Sequence, residues 1–210
     1  MQTDTTQITE KSTDQLLQEG MSKAISYIQY RELVERLSKD GRSTGPIQTD
    51  ELANYTQLNN KRMKRWDKLF KIDGAAAEAI GEIDKKVTWL VLTESWCGDA
   101  SPALPVMEKV AGLNPNITFK VILRDENIAL MNKFLTNGGM SIPKLIVLDE
   151  ASGDVMGTWG PRSKKATKLV DEHKAEHGTI LPEFKQDIQV WYNRDKGQSI
   201  LEDLVVLALE

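Results

Sequence analysis

Apolar positions change their spacing near the middle of the chain, and that change gives the first reading of the fold. From Asp14 to about residue 84 they recur at helical intervals, as in Leu16, Leu17, Met21, Ile25 and Ile28, and nothing alternates at period two. The first helical run is interrupted near Gly20. Ser26 is placed to cap a second run that carries Leu33, Val34 and Leu37 up to Gly41. Thr49, followed by Asp50 and Glu51, opens a long helix bearing Leu52, Tyr55, Leu58, Met63, Trp66 and Phe70. Gly74 to Ile83 is Ala-rich and reads as a short helix. The Gly41 to Pro46 segment reads as a helix–helix connection, and it lacks the Gly-Lys-Ser/Thr ending of a phosphate loop.

Beyond residue 84 the runs become short and β-branched. Val87 to Thr93 and Ile117 to Leu123 read as strands, and Glu126 to Leu135 as a helix stopped by Asn137-Gly138-Gly139. Pro143 to Leu148 is a third strand. Ser152-Gly153-Asp154 turns it into a fourth, Val155 to Trp159, as a hairpin. Pro161 is expected to open the next helix at its first turn, continuing to about His177. After Pro182 two helical stretches follow, about 183–194 and 199–208, the second very apolar. Residues 1–13, rich in Thr, Gln and charge, read as a disordered tail without the apolar core of a signal peptide. The expected organisation is therefore a helical extension over 14–84, an α/β domain over 85–178 and C-terminal helices over 179–210 that pack on it.

Composition narrows the function classes. Hydrophobic residues at 40% and charged residues at 28% are globular values. A net charge of -4 argues against nucleic acid as a partner. No apolar run approaches the roughly 20 residues of a membrane span. A lone cysteine in 210 residues excludes an internal disulfide framework and suits a reducing, cytoplasmic compartment.

That cysteine, Cys97, lies between a strand run and a helix run, in Ser95-Trp96-Cys97-Gly98-Asp99-Ala100. At such a junction the helix N-terminal dipole and free N–H groups favour a thiolate. Ala100 stands where the partner of a Cys-x-x-Cys pair would be. Asp99 pulls both ways: it suits a helix N-terminus but opposes ionisation of a neighbouring thiol.

The order of elements and three local signatures resemble the thioredoxin family over about Val87 to His177. Trp96-Cys97-Gly98 is similar to the start of that family's active site, Pro105 falls where the active-site helix carries a proline, and Ser141-Ile142-Pro143 is similar to the segment with the cis-proline facing the cysteine. More narrowly, the chain resembles a bacterial thioredoxin-like group with a Ser-Trp-Cys-Gly-Asp site, in which Leu123 to Asn127 and Gly157 to Arg162 look typical. The resemblance implies a central mixed four-stranded sheet flanked by helices. It also implies that Cys97 is the nucleophile, that Trp96 shields the sulfur, that Ile142 and Pro143 hold the substrate edge-on, and that Gly98, Asp99 and Ala100 form the active-site loop. Val91 stands where thioredoxins keep a buried carboxylate that serves the second cysteine.

One thiol still permits attack on a disulfide sulfur. The leading expectation is monothiol exchange on a protein or small-molecule mixed disulfide, with a low-molecular-weight thiol as co-substrate, no other cofactor and no metal. It carries the further expectation of a depressed Cys97 pKa. The competing expectation is a redox-inactive binding module in which Cys97 is incidental, and a third is a peroxide-responsive thiol sensor. Other features read as structural. Lys61, Arg62, Lys64, Arg65, Lys68 and Lys71 make a basic run on the long helix, of which residues 61, 64, 65 and 68 share one face that reads as solvated, although it can attract an anionic thiol or an acidic partner. His173 and His177 share a helix face among exposed charges and read as surface residues. Tyr27, Tyr30, Tyr55, Trp66 and Phe70 read as packing between the helical extension and the sheet.

Overall fold

The computed structural model describes residues 10–209. Residues 1–9, most of the expected tail, lie outside the described residues. Helix α1 (Thr13–Lys23) begins with a capping box, Ser12 and Gln15 each satisfying the other's backbone N–H. Ser26 and Gln29 do the same for α2 (Tyr27–Lys39), and Thr49 caps α3 (Asp50–Leu69). Asp73 caps the short α4 (Gly74–Gly81).

The extension is not wholly helical: Ile25 and Ser26 form a two-residue strand, β1. It pairs antiparallel with β3 (Ile117–Leu123), adding a fifth edge strand to the four expected. The pair is too short for period-two alternation to show in sequence. The remaining strands are β2 (Val87–Thr93), β4 (Lys144–Asp149) and β5 (Val155–Trp159), giving the order β1-β3-β2-β4-β5. β2 runs parallel to β3 and antiparallel to β4, and β5 returns beside β4 as a hairpin. All seven residues of β2 are buried, as a central strand covered on both faces requires.

Two expected helices are shorter. Of Glu126 to Leu135 only α6 (Ile128–Met131) is helical, because Thr136 and Gly139 bridge across a turn that places Asn137 and Gly138 at positive φ. Pro161 does not open the following helix. Ser163 caps α7 (Lys164–His177) instead, and Pro161 follows a cis peptide bond outside it. α8 (Pro182–Asp195) and α9 (Gln198–Leu209) complete the chain.

α5 (Ala100–Ala111) contains Pro105 and is buried along most of its length. It packs against α3 and against α9, so the N-terminal extension and the C-terminal helices both close on the helix that follows Cys97. α9 also meets α4, α7 and β5, tied by Trp159 Nε1 donating to Asp203 at 3.0 Å. One continuous core includes Tyr30 and Val34 of the extension, Trp89 to Leu92, Leu104 and Met107, Leu145 and Ile146, and Ile200 and Leu204. Tyr27, Tyr30, Trp66 and Phe70 are buried in it, whereas Tyr55 is only half-buried. No helix among the described residues is long and apolar enough to cross a membrane.

Candidate functional site

The apolar run of β2 ends at Thr93, and the chain turns through Glu94 to Asp99 before α5 begins. Cys97 sits in this turn, 7% exposed, and its Sγ–H donates to the carbonyl of Ile142 at 3.2 Å. The Ile142–Pro143 peptide is cis. Behind it, a Cβ on Gly160 would lie 2.1 Å from the Pro143 carbonyl oxygen, and Gly160 has φ +111. Only glycine fits there, so the wall opposite the sulfur is backbone packed on backbone.

Cys97 opens into a cleft of about 420 Å³. Trp96, Gly98, Asp99 and Ile142 line it with Cys97, whereas Ala100 and Pro143 are buried and do not. The half-buried Tyr55, read above as packing, forms part of the wall. Trp96 carries Arg124 over its ring at 5.0 Å, and its indole N–H is buried without a partner.

Upstream of Cys97 the turn is held by the extension. Thr44 N donates to Ser95 Oγ at 2.9 Å, Ser95 N donates to Thr44 Oγ1 at 2.8 Å, and the Thr56 and Ser95 hydroxyls share a 2.7 Å bond. Asn59 Nδ2 donates to the Ser95 carbonyl at 3.0 Å. Glu94, 0% exposed, accepts from the Asp125 N–H at 2.8 Å and from the Thr44 hydroxyl. Burial pushes its carboxyl up to about 6, with those two bonds opposing the shift. The Gly41 to Pro46 connection thus does more than join helices. Gly45 sits at φ +86, a conformation glycine adopts without strain, and a Cβ there would also press on the Asp125 carboxylate at 2.7 Å.

Downstream the turn is held by the C-terminal elements. Asp99 pairs with Arg162 Nη2 at 2.6 Å and accepts from the Tyr192 hydroxyl at 2.9 Å. Gln189 Nε2 donates to the Gly98 carbonyl at 3.2 Å, so α8 lies across the turn. Burial raises the Asp99 carboxyl above the usual aspartate value, and Arg162 pulls it back.

These surroundings reverse the expectation of a depressed thiol pKa. Burial, then the neighbouring Asp99 carboxylate, push the Cys97 thiol up to about 12. The N–H groups of Ala100 and Asp99 and the Arg162 guanidinium favour the thiolate but do not win. The helix N-terminus is present, as sequence implied; the desolvation that outweighs it has no local signature.

Thr44, Thr56, Asn59, Glu94, Gln189 and Tyr192 were not singled out from sequence. Their partners lie 31 to 93 residues away, beyond the reach of any local motif. Arg162 had a weak signal, as the last residue of the Gly157 to Arg162 segment. His173 is structural: it accepts from the Leu181 N–H at 3.3 Å and stacks on Phe184 at 3.9 Å. Among the described residues no group of three or more metal-ligating side chains comes together.

A parallel β2–α5–β3 unit, an antiparallel β4–β5 hairpin, a cysteine at the β2–α5 junction and a cis-proline loop facing it define a thioredoxin-fold protein with a single thiol. Residues 45–175 match the thioredoxin family, and the chain belongs to that family. No curated protein matches it. Two crystal structures share the fold. One is a protein of unknown function from Pseudomonas aeruginosa, 19% identical, with a TM-score of 0.57 over 71% of this chain and 83% of that one. The other is an HIV epitope-scaffold bearing the 4E10 label, 17% identical, with a TM-score of 0.55 over 87% of this chain and 97% of that one.

Proposed function

We propose that the protein carries out monothiol thiol–disulfide exchange in a reducing compartment such as the cytoplasm. The observation that carries this reading is that the only sulfur of the chain's single cysteine lines a cleft, beside the free N–H groups of a helix N-terminus and opposite a cis-proline loop. Cys97 sulfur attacks the small-thiol sulfur of a mixed disulfide. The S–S bond breaks, the protein thiol leaves with the proton, and Cys97 carries the small thiol. A second molecule of that thiol then attacks the carried sulfur, releasing a symmetrical small disulfide and restoring Cys97. The net reaction turns a mixed disulfide and one free small thiol into a protein thiol and a symmetrical small disulfide, so the number of S–S bonds is conserved and no resolving cysteine is needed. Trp96 and the Ile142 edge flank the incoming disulfide.

The raised pKa sets the expected speed. Burial and the Asp99 carboxylate, which push the thiol up, leave little thiolate at neutral pH. The stronger nucleophilicity of such a thiolate recovers only part of the loss, so the resting site is slower than a free thiol. Exchange is then fast only with substrates that fill the cleft and change its electrostatics.

The same burial favours a second reading, a binding module in which Cys97 is a packing residue. The peroxide-sensor alternative needs an accessible thiolate, which burial works against. A mixed-disulfide exchange assay on wild type and Cys97→Ser separates the first two. Turnover lost in Cys97→Ser supports exchange; equal rates, with partner capture unchanged, leave the binding reading standing.

A further inference from the structure

The chain carries a net charge of -4, yet the cleft at Cys97 is lined by four cations, Arg62, Arg124, Arg162 and Lys185, against two carboxylates, Glu51 and Asp99. The four cations are not equivalent. Arg162 is paired with Asp99, and Arg124 with Asp125 at 2.6 Å. Arg62 and Lys185 form no ion pair among the described residues, and they stand on different elements, α3 and α8.

Arg62 is half-buried and fixed in place. Its Nη1 donates to Asn59 Oδ1 at 3.1 Å, and Asn59 in turn donates to the carbonyl of Ser95, two residues before the cysteine. A Cβ built on Gly98 would lie 4.0 Å from the same Nη1, which sets the guanidinium beside the residue that follows Cys97. Burial lowers its pKa against the opposing pull of Tyr55 and Asp99. A desolvated guanidinium with no carboxylate of its own gains from an incoming anion, and its planar fork suits a carboxylate.

We infer that Arg62 is the carboxylate anchor of the cleft, so that the small thiol the site takes is an acidic one, bearing a carboxylate, rather than a neutral or cationic thiol. Lys185, on α8 and lining the same cleft, provides the second, looser attraction. This rests on the exchange reading in taking the occupant to be a thiol, but the anchor is measurable without any reaction at sulfur.

The probe is S-methylglutathione, which has two carboxylates and no free thiol, titrated calorimetrically into the full chain beside its diethyl ester. The acid is expected to bind about tenfold or more tightly than the ester, the scale of one charge-assisted hydrogen bond, and to weaken with added salt. Arg62→Gln is expected to remove that preference, Arg62→Lys to keep part of it, and Lys185→Gln to reduce it less. Absent binding of the acid, equal binding of acid and ester, or an unchanged preference in Arg62→Gln overturns the inference. If Arg62→Gln melts early through loss of the Asn59 contact, the acid–ester comparison on wild type decides alone.

A parallel assay of Cys97-dependent exchange with 2-mercaptoethanol separates the two ideas. Exchange without carboxylate preference sinks the anchor and spares the exchange reading. Acid binding at Arg62 without any Cys97-dependent exchange sinks the exchange reading and leaves an anion site on a binding module.

Discussion

Upstream of Cys97 the active-site turn is held by hydroxyls and amides; downstream it is held by an ion pair. Thr44, Thr56 and Asn59 reach Ser95 and Glu94 through neutral donors, and among the described residues no cation forms an ion pair with the Glu94 carboxylate. Arg162, Tyr192 and Gln189 reach Gly98 and Asp99, with a full charge on each side of the main contact. The upstream side therefore fixes where the loop sits, while the downstream side sets the field at the sulfur. A carboxylate is buried on each side, but Asp99 has a directly paired counter-ion, whereas Glu94 has hydrogen bonds and only the weaker pull of Arg124.

The sharpest break of this contrast is Arg162→Met, which leaves Asp99 buried beside Tyr192 without its cation. A loss of about 3 kcal/mol in urea unfolding is expected, the scale of breaking a buried pair on one side. A loss below about 1 kcal/mol would make the downstream contact an ordinary surface pair.

Glu94 should give the next largest effect, and its sign is opposite to that of most carboxylates. Its folded pKa, about 6, lies above the ordinary 4.5, so the folded state holds the proton more tightly. The corresponding stability is complete below pH 4.5 and is lost as pH rises through 6, about 2 kcal/mol in all. Urea midpoints from pH 4 to 8 should show this slope in wild type and lose it in Glu94→Gln. A slope that survives the substitution assigns it to another group.

Asp99→Asn tests the field at the sulfur. Removing the carboxylate leaves Arg162 as the nearest charge, so the Cys97 pKa should fall from about 12 by about one unit or more. Iodoacetamide alkylation against pH reads the shift, and an unmoved profile leaves burial as the sole cause. Thr56→Val should give the smallest effect, about 1 kcal/mol for loss of a neutral hydroxyl that bonds the Leu52 carbonyl and the Ser95 hydroxyl. That cost should not vary between pH 5 and 8, in contrast with the charged side.

The fold was legible where local chemistry decides it. The β-branched runs of β2, β3 and β5 and the caps at Ser26 and Thr49 fall at the residues the pattern indicates. Cys97 was legible as the centre of interest because its junction, Pro105 and the Ser141-Ile142-Pro143 segment are all local. The state of its thiol was not. Desolvation comes from α8, from the extension and from the cis-proline loop at once, and their meeting leaves no trace in any window of sequence. The Glu126 to Leu135 helix was overextended for a related reason: apolar spacing continues past Met131, but the backbone turns at Asn137 and Gly138 to bring Met140 and Ser141 to the cleft.

The Asn59–Ser95 bond bears on what can be cut away. A protein trimmed to the α/β domain would keep Cys97 and its strand yet expose the Ser95 carbonyl and the Glu94 carboxylate, and would lose Arg62 altogether. Shortened from the other end, it would lose Tyr192 and Gln189 and uncover the sulfur. The smallest heritable unit of this site is therefore larger than the fold that carries its cysteine, and swapping the loop sequence into a bare relative would transplant the letters without their chemistry.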